Sequence, residues 1–263
     1  MDLGLKGRVA IITGAGRGIG RAEALGLAAE GVAIVVNSSS STETEATVAA
    51  IRAAGGDAVG EAGDISSEDV VRAVVKRAVE HFGKLDILVN NAGAGVKYMN
   101  QRLDEMSVES WDRINDTHLR ATFLCCHHAL PVLRANGFGR IINTSSMHAL
   151  GGGREGLVNY TTAKAGVVGL TRNLAKETGR YGTTVNAIAP GFVETEFFST
   201  YPREFLAEIC SQNPMRRLGQ PKDVAALVCF LASTQSEFIN GAVIPIDGGR
   251  REYALNPVGR AAT

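Results

Sequence analysis

A phenol and an ammonium stand four positions apart in Tyr160-Thr161-Thr162-Ala163-Lys164. On a helix, both side chains leave the same face. An unassisted tyrosine hydroxyl titrates near pH 10 and is a poor acid or base at neutrality, whereas a cation within roughly 4–6 Å favours the phenolate. The spacing therefore gives Tyr160 the proton and Lys164 the tuning of it. The run Arg140–Thr144 reads as a strand and delivers Ser145 and Ser146 a short loop before the tyrosine helix. A serine hydroxyl there can hold a carbonyl oxygen beside the phenol while hydride arrives from a cofactor. Asn90-Asn91-Ala92-Gly93 and Pro190-Gly191-Phe192-Val193-Glu194-Thr195 also follow strands, on the same sheet edge.

A second constellation, Thr13-Gly14-Ala15-Gly16-Arg17-Gly18-Ile19-Gly20, joins a strand to a helix. Glycines suit a tight turn, a pyrophosphate approaching the backbone, and a helix packed closely on its strand. The helix start adds free N–H groups and a positive dipole end. The G-x-G-x-x-G fingerprint fails, because Ile19 stands at the third glycine; T-G-x-x-x-G-I-G fits. The end of the next strand discriminates dinucleotides, since an acid there accepts from the ribose 2′-OH of NAD and repels the 2′-phosphate of NADP. Asn37, Ser38, Ser39 and Ser40 include no acid, and Arg17 supplies positive charge. These residues favour NADP(H) over NAD(H); the alternative is a solvated serine loop with Arg17 pointing to water.

The elements that must position these groups alternate along the chain. Near-continuous apolar runs at Arg8–Thr13, Ala33–Asn37, Leu85–Asn90, Gly139–Ser145, Thr183–Ala189 and Ala242–Asp247 read as strands covered on both faces. Helical patterns fill Ile19–Glu30, Thr42–Ala54, Ser67–Phe82, Val108–Leu133, Val158–Tyr181 and Pro221–Leu231. Ser67 marks a helix start, Gly31 and Gly55 mark helix ends, and Pro221 sits in a first turn. This alternation predicts an α/β fold with a doubly wound parallel sheet and helices on both faces. With no linker or repeat, residues 1–263 read as one domain.

Lys+Arg and Asp+Glu number 27 each, so the chain lacks the basic footprint of a nucleic-acid or membrane-surface binder. The longest apolar run, Val224–Ala232, is nine residues, against roughly 20 for a bilayer crossing. The amino-terminal segment has no signal-peptide pattern, and four scattered cysteines read as reduced thiols; a cytoplasmic protein acting on a small molecule is expected. The 31 glycines, about 12% against a usual 7% or so, call for individual placement.

TGAGRGIG, NNAG, Ser146, YTTAK and PG-F-V-x-T, in this order, resemble the short-chain dehydrogenase/reductase family. The subgroup is the one with subunits about this long, including 3-oxoacyl reductase-like members, and the match runs from about Lys6 to Gly249, ending in IDGG. The resemblance implies a single-domain, seven-stranded Rossmann fold, a nicotinamide cofactor, no metal, a Ser-Tyr-Lys site and a homotetramer or homodimer. It makes Ser146 the substrate-polarising serine, Tyr160 the acid/base and Lys164 the ligand of the nicotinamide ribose. Asp64, followed by Ile65, becomes the adenine-contacting acid and Asn91 the sheet-edge asparagine, with Ala92 and Gly93 beside it. Thr195 binds the carboxamide, with Pro190, Gly191 and Val193 in the same cofactor turn.

Two departures stand out. Many relatives place an asparagine, part of a water relay to the lysine, where this chain has His118. An imidazole there can keep the relay and add a pH-sensitive limb, or be a packed core histidine. His118-Leu119-Arg120 also resembles the dehydrogenase unit of peroxisomal multifunctional (3R)-hydroxyacyl-CoA enzymes, a pointer to acyl thioesters. The loop Met147–Asn159 is one residue longer than in many 3-oxoacyl reductases and carries Gly151-Gly152-Gly153.

Cys125-Cys126-His127-His128 places at most Cys125 and His128 on one helix face, too few for a closed zinc site. Segment 192–217, with Phe197, Phe198, Tyr201, Phe205 and Leu206, suits a lid over an apolar substrate, and Met99, Leu150 and Leu157 suit pocket wall. Arg154, Arg203, Arg216 and Arg217 read first as solvated charges and second as partners of a carboxylate or phosphopantetheine phosphate. The tail 250–263 is a candidate subunit contact. The expected function is hydride transfer between NADP(H) and a ketone or secondary alcohol. The alternatives are a 3-oxoacyl/3-hydroxyacyl thioester reductase-dehydrogenase and a silent dinucleotide-binding regulator.

Overall fold

A computed structural model describes residues 2–93, 95–151, 153–196, 198 and 201–250. Gly152, Phe197 and the tail segment 251–263, named above, lie outside the described residues. Seven parallel strands form one sheet: β1 (Val9–Ile12), β2 (Ala33–Ser38), β3 (Ala58–Ala62), β4 (Ile87–Asn90), β5 (Gly139–Thr144), β6 (Thr183–Pro190) and β7 (Val243–Ile246). Their order is β3-β2-β1-β4-β5-β6-β7, with Ala10 in register with both Ile34 and Ile87. The chain winds outward from β1 to β3, then returns to β4 on the other side of β1. The loops after β1 and β4 therefore diverge and open a crevice at the carboxyl edge.

The helices are α1 (Gly18–Ala29), α2 (Ser41–Ala53), α3 (Glu68–Phe82), α4 (Val108–Asn115), α5 (Ala121–Ala135), α6 (Val158–Thr178), α7 (Arg203–Gln212) and α8 (Pro221–Ala232). Successive strand residues point to opposite faces, so each strand feeds two cores. Ala10, Ile12, Ile34 and Val36 pack with Leu27, Ile51, Val224 and Val228, the face of α1, α2 and α8. Val9, Ile11, Val35 and Leu88 pack with Val71, Val74, Leu124 and Leu133, the face of α3 and α5. This is the doubly wound fold that the alternation predicts.

Three departures from the sequence reading have local causes. β3 lacks the β-branched run of its neighbours; as an edge strand paired only with β2 it leaves Gly60, Glu61 and Ala62 partly or fully exposed. The long helix expected over 108–133 is interrupted: a π-helical turn at Asp116–Arg120 separates α4 from α5. Such turns insert an extra residue and re-aim side chains, and this one carries His118. Helix α7, inside the aromatic segment, was not evident from sequence because its apolar residues pack on a small satellite cluster of Phe198, Ile209 and Leu218. Elsewhere the capping chemistry holds: Gly31 and Gly55 adopt φ of +81° and +84°, and α8 starts with Pro221 and a Gln220/Asp223 capping box. Ser67 occupies the N-cap position of α3, though its side chain makes no capping bond.

One buried group opposes the fold. Glu23 of α1 is fully buried, and neither carboxyl oxygen has a hydrogen-bond partner among the described residues. Burial pushes its pKa up from 4.5 to about 8. The folded chain prefers the neutral acid, so the stability this preference provides is complete below the unfolded pKa and drains away as pH rises through about 8. Glu23→Met therefore stabilises progressively from pH 5 to pH 8, with a difference in its benefit of about 3 kcal/mol between those limits. Urea titrations of both proteins at the two pH values check this; a benefit independent of pH contradicts it.

Candidate active site

The crevice after β1, β2, β4, β5 and β6 is a cleft of about 660 Å³. At one end the β1–α1 turn forms a backbone cradle. Gly14 has φ +66°, and a Cβ there would come within 2.9 Å of the Ala92 Cα. A Cβ on Gly20 would stand 2.4 Å from the Gly14 carbonyl oxygen, so only glycine lets α1 start this close to its strand. Arg17 occupies the N-cap position of α1 without a side-chain capping bond, which leaves the first-turn N–H groups available to an anion. A polar clamp holds the neighbouring turn: the N–H groups of Asn91 and Ala92 both donate to Thr13 Oγ1 at 3.1 Å, and Asn91 Nδ2 donates to the Thr13 carbonyl at 3.1 Å. Thr13 is thus a site-building residue whose role appears only when β1 and β4 are adjacent. Gly14, Arg17, Gly18, Ile19 and Gly20 line the cleft, as do Asn91, Ala92 and Gly93 and also Pro190, Gly191, Val193 and Thr195, with Thr195 Cγ2 3.3 Å from where a Gly18 Cβ would stand.

Beyond the cradle the expected residues take more specific roles. Asn37 is buried and donates to the carbonyls of Glu61 and Gly63 at 2.9 and 3.3 Å, bracing the turn that carries Asp64 and Ile65. Burial of Asp64 is outweighed by hydrogen bonds from Ser66 and from Arg113 at 2.7 Å, which hold its carboxyl below the usual range. Ser38 and Ser39 line the cleft, but so does an acid: Ser38 Oγ donates to Glu43 Oε2 at 3.4 Å, and Arg17 Nε lies 4.0 Å from Glu43 Oε1. Asn37–Ser40 themselves hold no acid, but Glu43 in the first turn of α2 brings one to this end of the cleft. Ser40 caps α2 by accepting from the Glu43 N–H, and the first helical turn folds that carboxylate back toward the strand end.

At the other end, Ser146, Tyr160 and Lys164 converge. Helix α6 is held on β5 by Ser145 Oγ, which donates to the Lys164 carbonyl at 2.9 Å, and by Lys164 Nζ, which donates to the Thr144 carbonyl at 2.6 Å. Buried Asn159 accepts from the Tyr160 N–H at 2.8 Å and donates to the carbonyls of Tyr98 and Ser110, tying the start of α6 to α4. Burial raises the Tyr160 pKa, and a hydrogen bond with the Ser146 hydroxyl opposes the rise. Burial also lowers the Lys164 pKa to about 7. This departs from the sequence reading, in which the lysine depresses the tyrosine. Lys164 is buried while Tyr160 is half-buried, and the Lys164 nitrogen faces a carbonyl, 5.9 Å from the Tyr160 ring centre.

Two histidines flank the phenol. The His118 ring stands edge-on, 5.2 Å from the Tyr160 ring, and fills the space above Gly93, where a Cβ would fall 2.2 Å from His118 Cε1. His148, two residues beyond Ser146, lies 6.0 Å from the same ring. Sequence spacing had no signal for His148, because its approach depends on the 3-10 turn Met147–Leu150. Phe192, Phe198, Tyr201 and Phe205 form a chain of ring contacts of 5.1–5.7 Å along the cleft's outer wall. Cys125 and Cys126 belong to the core, their thiol pKa values raised by burial, and His128 pairs with Glu68 at 3.0 Å.

A parallel doubly wound sheet with a phosphate-type cradle and a Ser-Tyr-Lys cluster on one edge defines a dinucleotide-dependent oxidoreductase. The family model described as enoyl-(acyl carrier protein) reductase matches residues 14–251. The short-chain reductase protein NovJ of Streptomyces niveus is 43% identical over 92% of this chain and 93% of its own. The 3-oxoacyl-[acyl-carrier-protein] reductase FabG of Staphylococcus aureus is 41% identical over 91% and 96%. Among solved structures, a 7α-hydroxysteroid dehydrogenase complexed with NADH and 7-oxo glycochenodeoxycholic acid superposes with a TM-score of 0.90 at 33% identity, covering 95% of this chain and 96% of that one. This chain belongs to the short-chain dehydrogenase/reductase family, and it is an oxidoreductase acting on CH–OH and ketone groups.

The buried lysine carries a measurable cost. Its folded pKa of about 7 lies below the ordinary 10.5, so the penalty is absent above the unfolded value and grows as pH falls toward 7. Lys164→Met is expected to stabilise the dinucleotide-free protein at pH 7 by about 2 kcal/mol, and to do so less at pH 9.5. Thermal unfolding at both pH values tests the sign.

Proposed function

We propose that this chain interconverts a ketone and a secondary alcohol with NADP(H), using Ser146, Tyr160 and Lys164. The observation that carries the reading is the convergence of Ser146, Tyr160 and Lys164, the last two one turn apart on α6, on the same cleft that the glycine cradle lines. The donor set fits a dinucleotide. The turn Gly14–Gly20 and the start of α1 would hold the pyrophosphate, Asp64 and Ile65 the adenine, Lys164 the nicotinamide ribose, and Thr195 with Pro190, Gly191 and Val193 the carboxamide. When bound, the nicotinamide supplies or accepts the hydride. Ser146 Oγ donates to the carbonyl oxygen and holds it against Tyr160. The Tyr160 hydroxyl passes its proton to that oxygen as negative charge develops there. Lys164, when protonated, favours the resulting phenolate, so its state of charge sets how readily the proton leaves. The aromatic wall excludes water and accommodates an apolar substrate body.

The preference for NADP(H) is supported by Arg17, Ser38 and Ser39 at the 2′ end of the cleft. Glu43 favours a second reading, NAD(H), because its carboxylate opposes a 2′-phosphate and engages Arg17. Steady-state kinetics with both dinucleotides separate the two. Under the first reading, Arg17→Gln lowers kcat/KM for NADPH roughly tenfold and hardly affects NADH. Glu43→Gln raises it about two- to fivefold. A higher kcat/KM with NADH in the unaltered enzyme overturns it.

For assembly we propose a homotetramer or homodimer. The support is apolar surface at Phe238, Val108 and Phe123, which are 101%, 74% and 50% exposed in the isolated chain. A cytoplasmic location fits the four free cysteines, three of them buried; among the described residues no helix is long and apolar enough to cross a membrane.

Tyr160→Phe is expected to lower kcat roughly 10²- to 10⁴-fold over a ketone panel while dinucleotide binding persists. Tight dinucleotide binding with no turnover in the unaltered protein would instead support a silent regulator. His118→Asn, which replaces the ring beside Tyr160, is expected to flatten a limb of the pH–rate profile. An unchanged profile removes His118 from the proton path.

A further inference from the structure

Among the described residues three arginines line the cleft: Arg17, Arg113 and Arg154. The first two face carboxylates, at 4.0 Å for Arg17 with Glu43 and 2.7 Å for Arg113 with Asp64. Arg154 pairs with no carboxylate among the described residues. Its Nη2 donates instead to the neutral Asn100 side chain at 2.7 Å. That contact is built rather than incidental. Asn100 sits at φ +62°, a left-handed conformation uncommon outside glycine, and the Gln101 N–H donates to the Gly156 carbonyl at 3.2 Å. Gly156 packs so closely that a Cβ there would lie 3.0 Å from the Asn100 Cα. The two loops that carry Asn100 and Arg154 are thereby joined, and the exposed Arg154 guanidinium stands at the rim of the cleft.

The charge distribution along the cleft gives this cation a purpose. Among the described residues the lining acids are Glu43, Asp64 and Glu196. Glu43 and Asp64 take the two arginines at the dinucleotide end, and Glu196 Oε2 is 3.7 Å from where a Gly18 Cβ would stand, also at the cradle. The opposite end holds Arg154, Met99, Leu157 and the aromatic wall of Phe192, Phe198 and Tyr201, with no lining carboxylate among the described residues. A planar guanidinium with donors still available, at the rim of an apolar chamber, matches a substrate with an apolar body and a terminal oxyanion.

We propose that the physiological substrate is an anionic ketone or its alcohol, and that Arg154 binds its carboxylate or phosphate oxygens at the end remote from the reacting carbon. This rests on the ketone reading above for the direction in which the substrate lies, with its carbonyl at Ser146 and Tyr160 and its anion at Arg154.

The test compares an apolar oxo acid, its methyl ester and the corresponding oxoacyl phosphopantetheine thioester, using the full-length enzyme and its Arg154→Gln and Arg154→Lys variants. Turnover is followed by nicotinamide absorbance, and calorimetry measures binding of each compound to the dinucleotide-loaded protein. The unaltered enzyme is expected to prefer an anionic compound over the ester at least tenfold in KM and in affinity. Arg154→Gln removes roughly 10- to 100-fold of that preference, with a much smaller effect on the ester, and Arg154→Lys restores part of it because the charge returns without the fork. Whichever anion loses affinity in Arg154→Gln identifies the source, carboxylate or phosphate. Equal affinity for acid, thioester and ester in the unaltered enzyme overturns the proposal, as does an equal loss for all three in Arg154→Gln. Anion preference in calorimetry without any turnover supports the Arg154 site while striking the oxidoreductase mechanism, so the two failures are distinct.

Discussion

Everything at the reactive end of the cleft depends on how α6 is fastened to the end of β5. A helix packed on a sheet through apolar side chains alone can slide by fractions of a turn; this one is pinned by polar contacts whose geometry is directional. The Ser145 hydroxyl reaches the Lys164 carbonyl, the Lys164 nitrogen reaches the Thr144 carbonyl, and Asn143 Nδ2 donates to Thr171 Oγ1 at 2.9 Å a little further along. Asn143 also accepts from Asn90 at 2.8 Å, which extends the fastening across β5 to β4. Ser146 follows Ser145 directly and Tyr160 lies one turn before Lys164, so the same contacts fix serine against phenol. The Asn159 side chain fixes the start of the helix in turn.

Burial at this site works in two directions. Lys164 is buried and Tyr160 half-buried, and burial raises the tyrosine pKa and lowers the lysine pKa, each toward its uncharged form. A site that needs charge at a stated moment is therefore built where charge is unfavourable, the usual tension between stability and function. Glu23 shows the same physics without an evident chemical use, between α1 and the rest of its core. The net charge of zero conceals all of this, because among the described residues lining the cleft the acids gather at the glycine-turn end, while Arg154, which faces no carboxylate, stands at the rim.

Much of the architecture was legible because its causes are local. Apolar runs of strand length, helical spacing, glycines beyond helix ends and Pro221 in a first turn all act within a few residues, and the structure places the corresponding elements nearly where they were expected. What escaped is marginal or conditional. β3 is a half-exposed edge strand, α7 depends on a satellite cluster, and the π-helical turn at Asp116–Arg120 redirects His118 by one residue of register within an otherwise regular helical pattern. Glu43 lies beyond the strand-end stretch Asn37–Ser40, yet capping by Ser40 turns it back to the strand end.

The sequence by itself determined the alternating α/β fold, the parallel sheet, the glycine cradle and the i,i+4 pairing of Tyr160 with Lys164. Each follows from backbone propensity, side-chain periodicity or the geometry of one helix. Only the tertiary structure decided which charges face each other. Arg17 meets Glu43, Arg113 meets Asp64, and Arg154 meets the amide of Asn100. These pairs span from 26 to 54 positions of chain, and no local rule connects them. They arise because the order β3-β2-β1-β4-β5-β6-β7 brings loops distant in sequence to one carboxyl edge, where burial then sets the protonation of whatever it encloses.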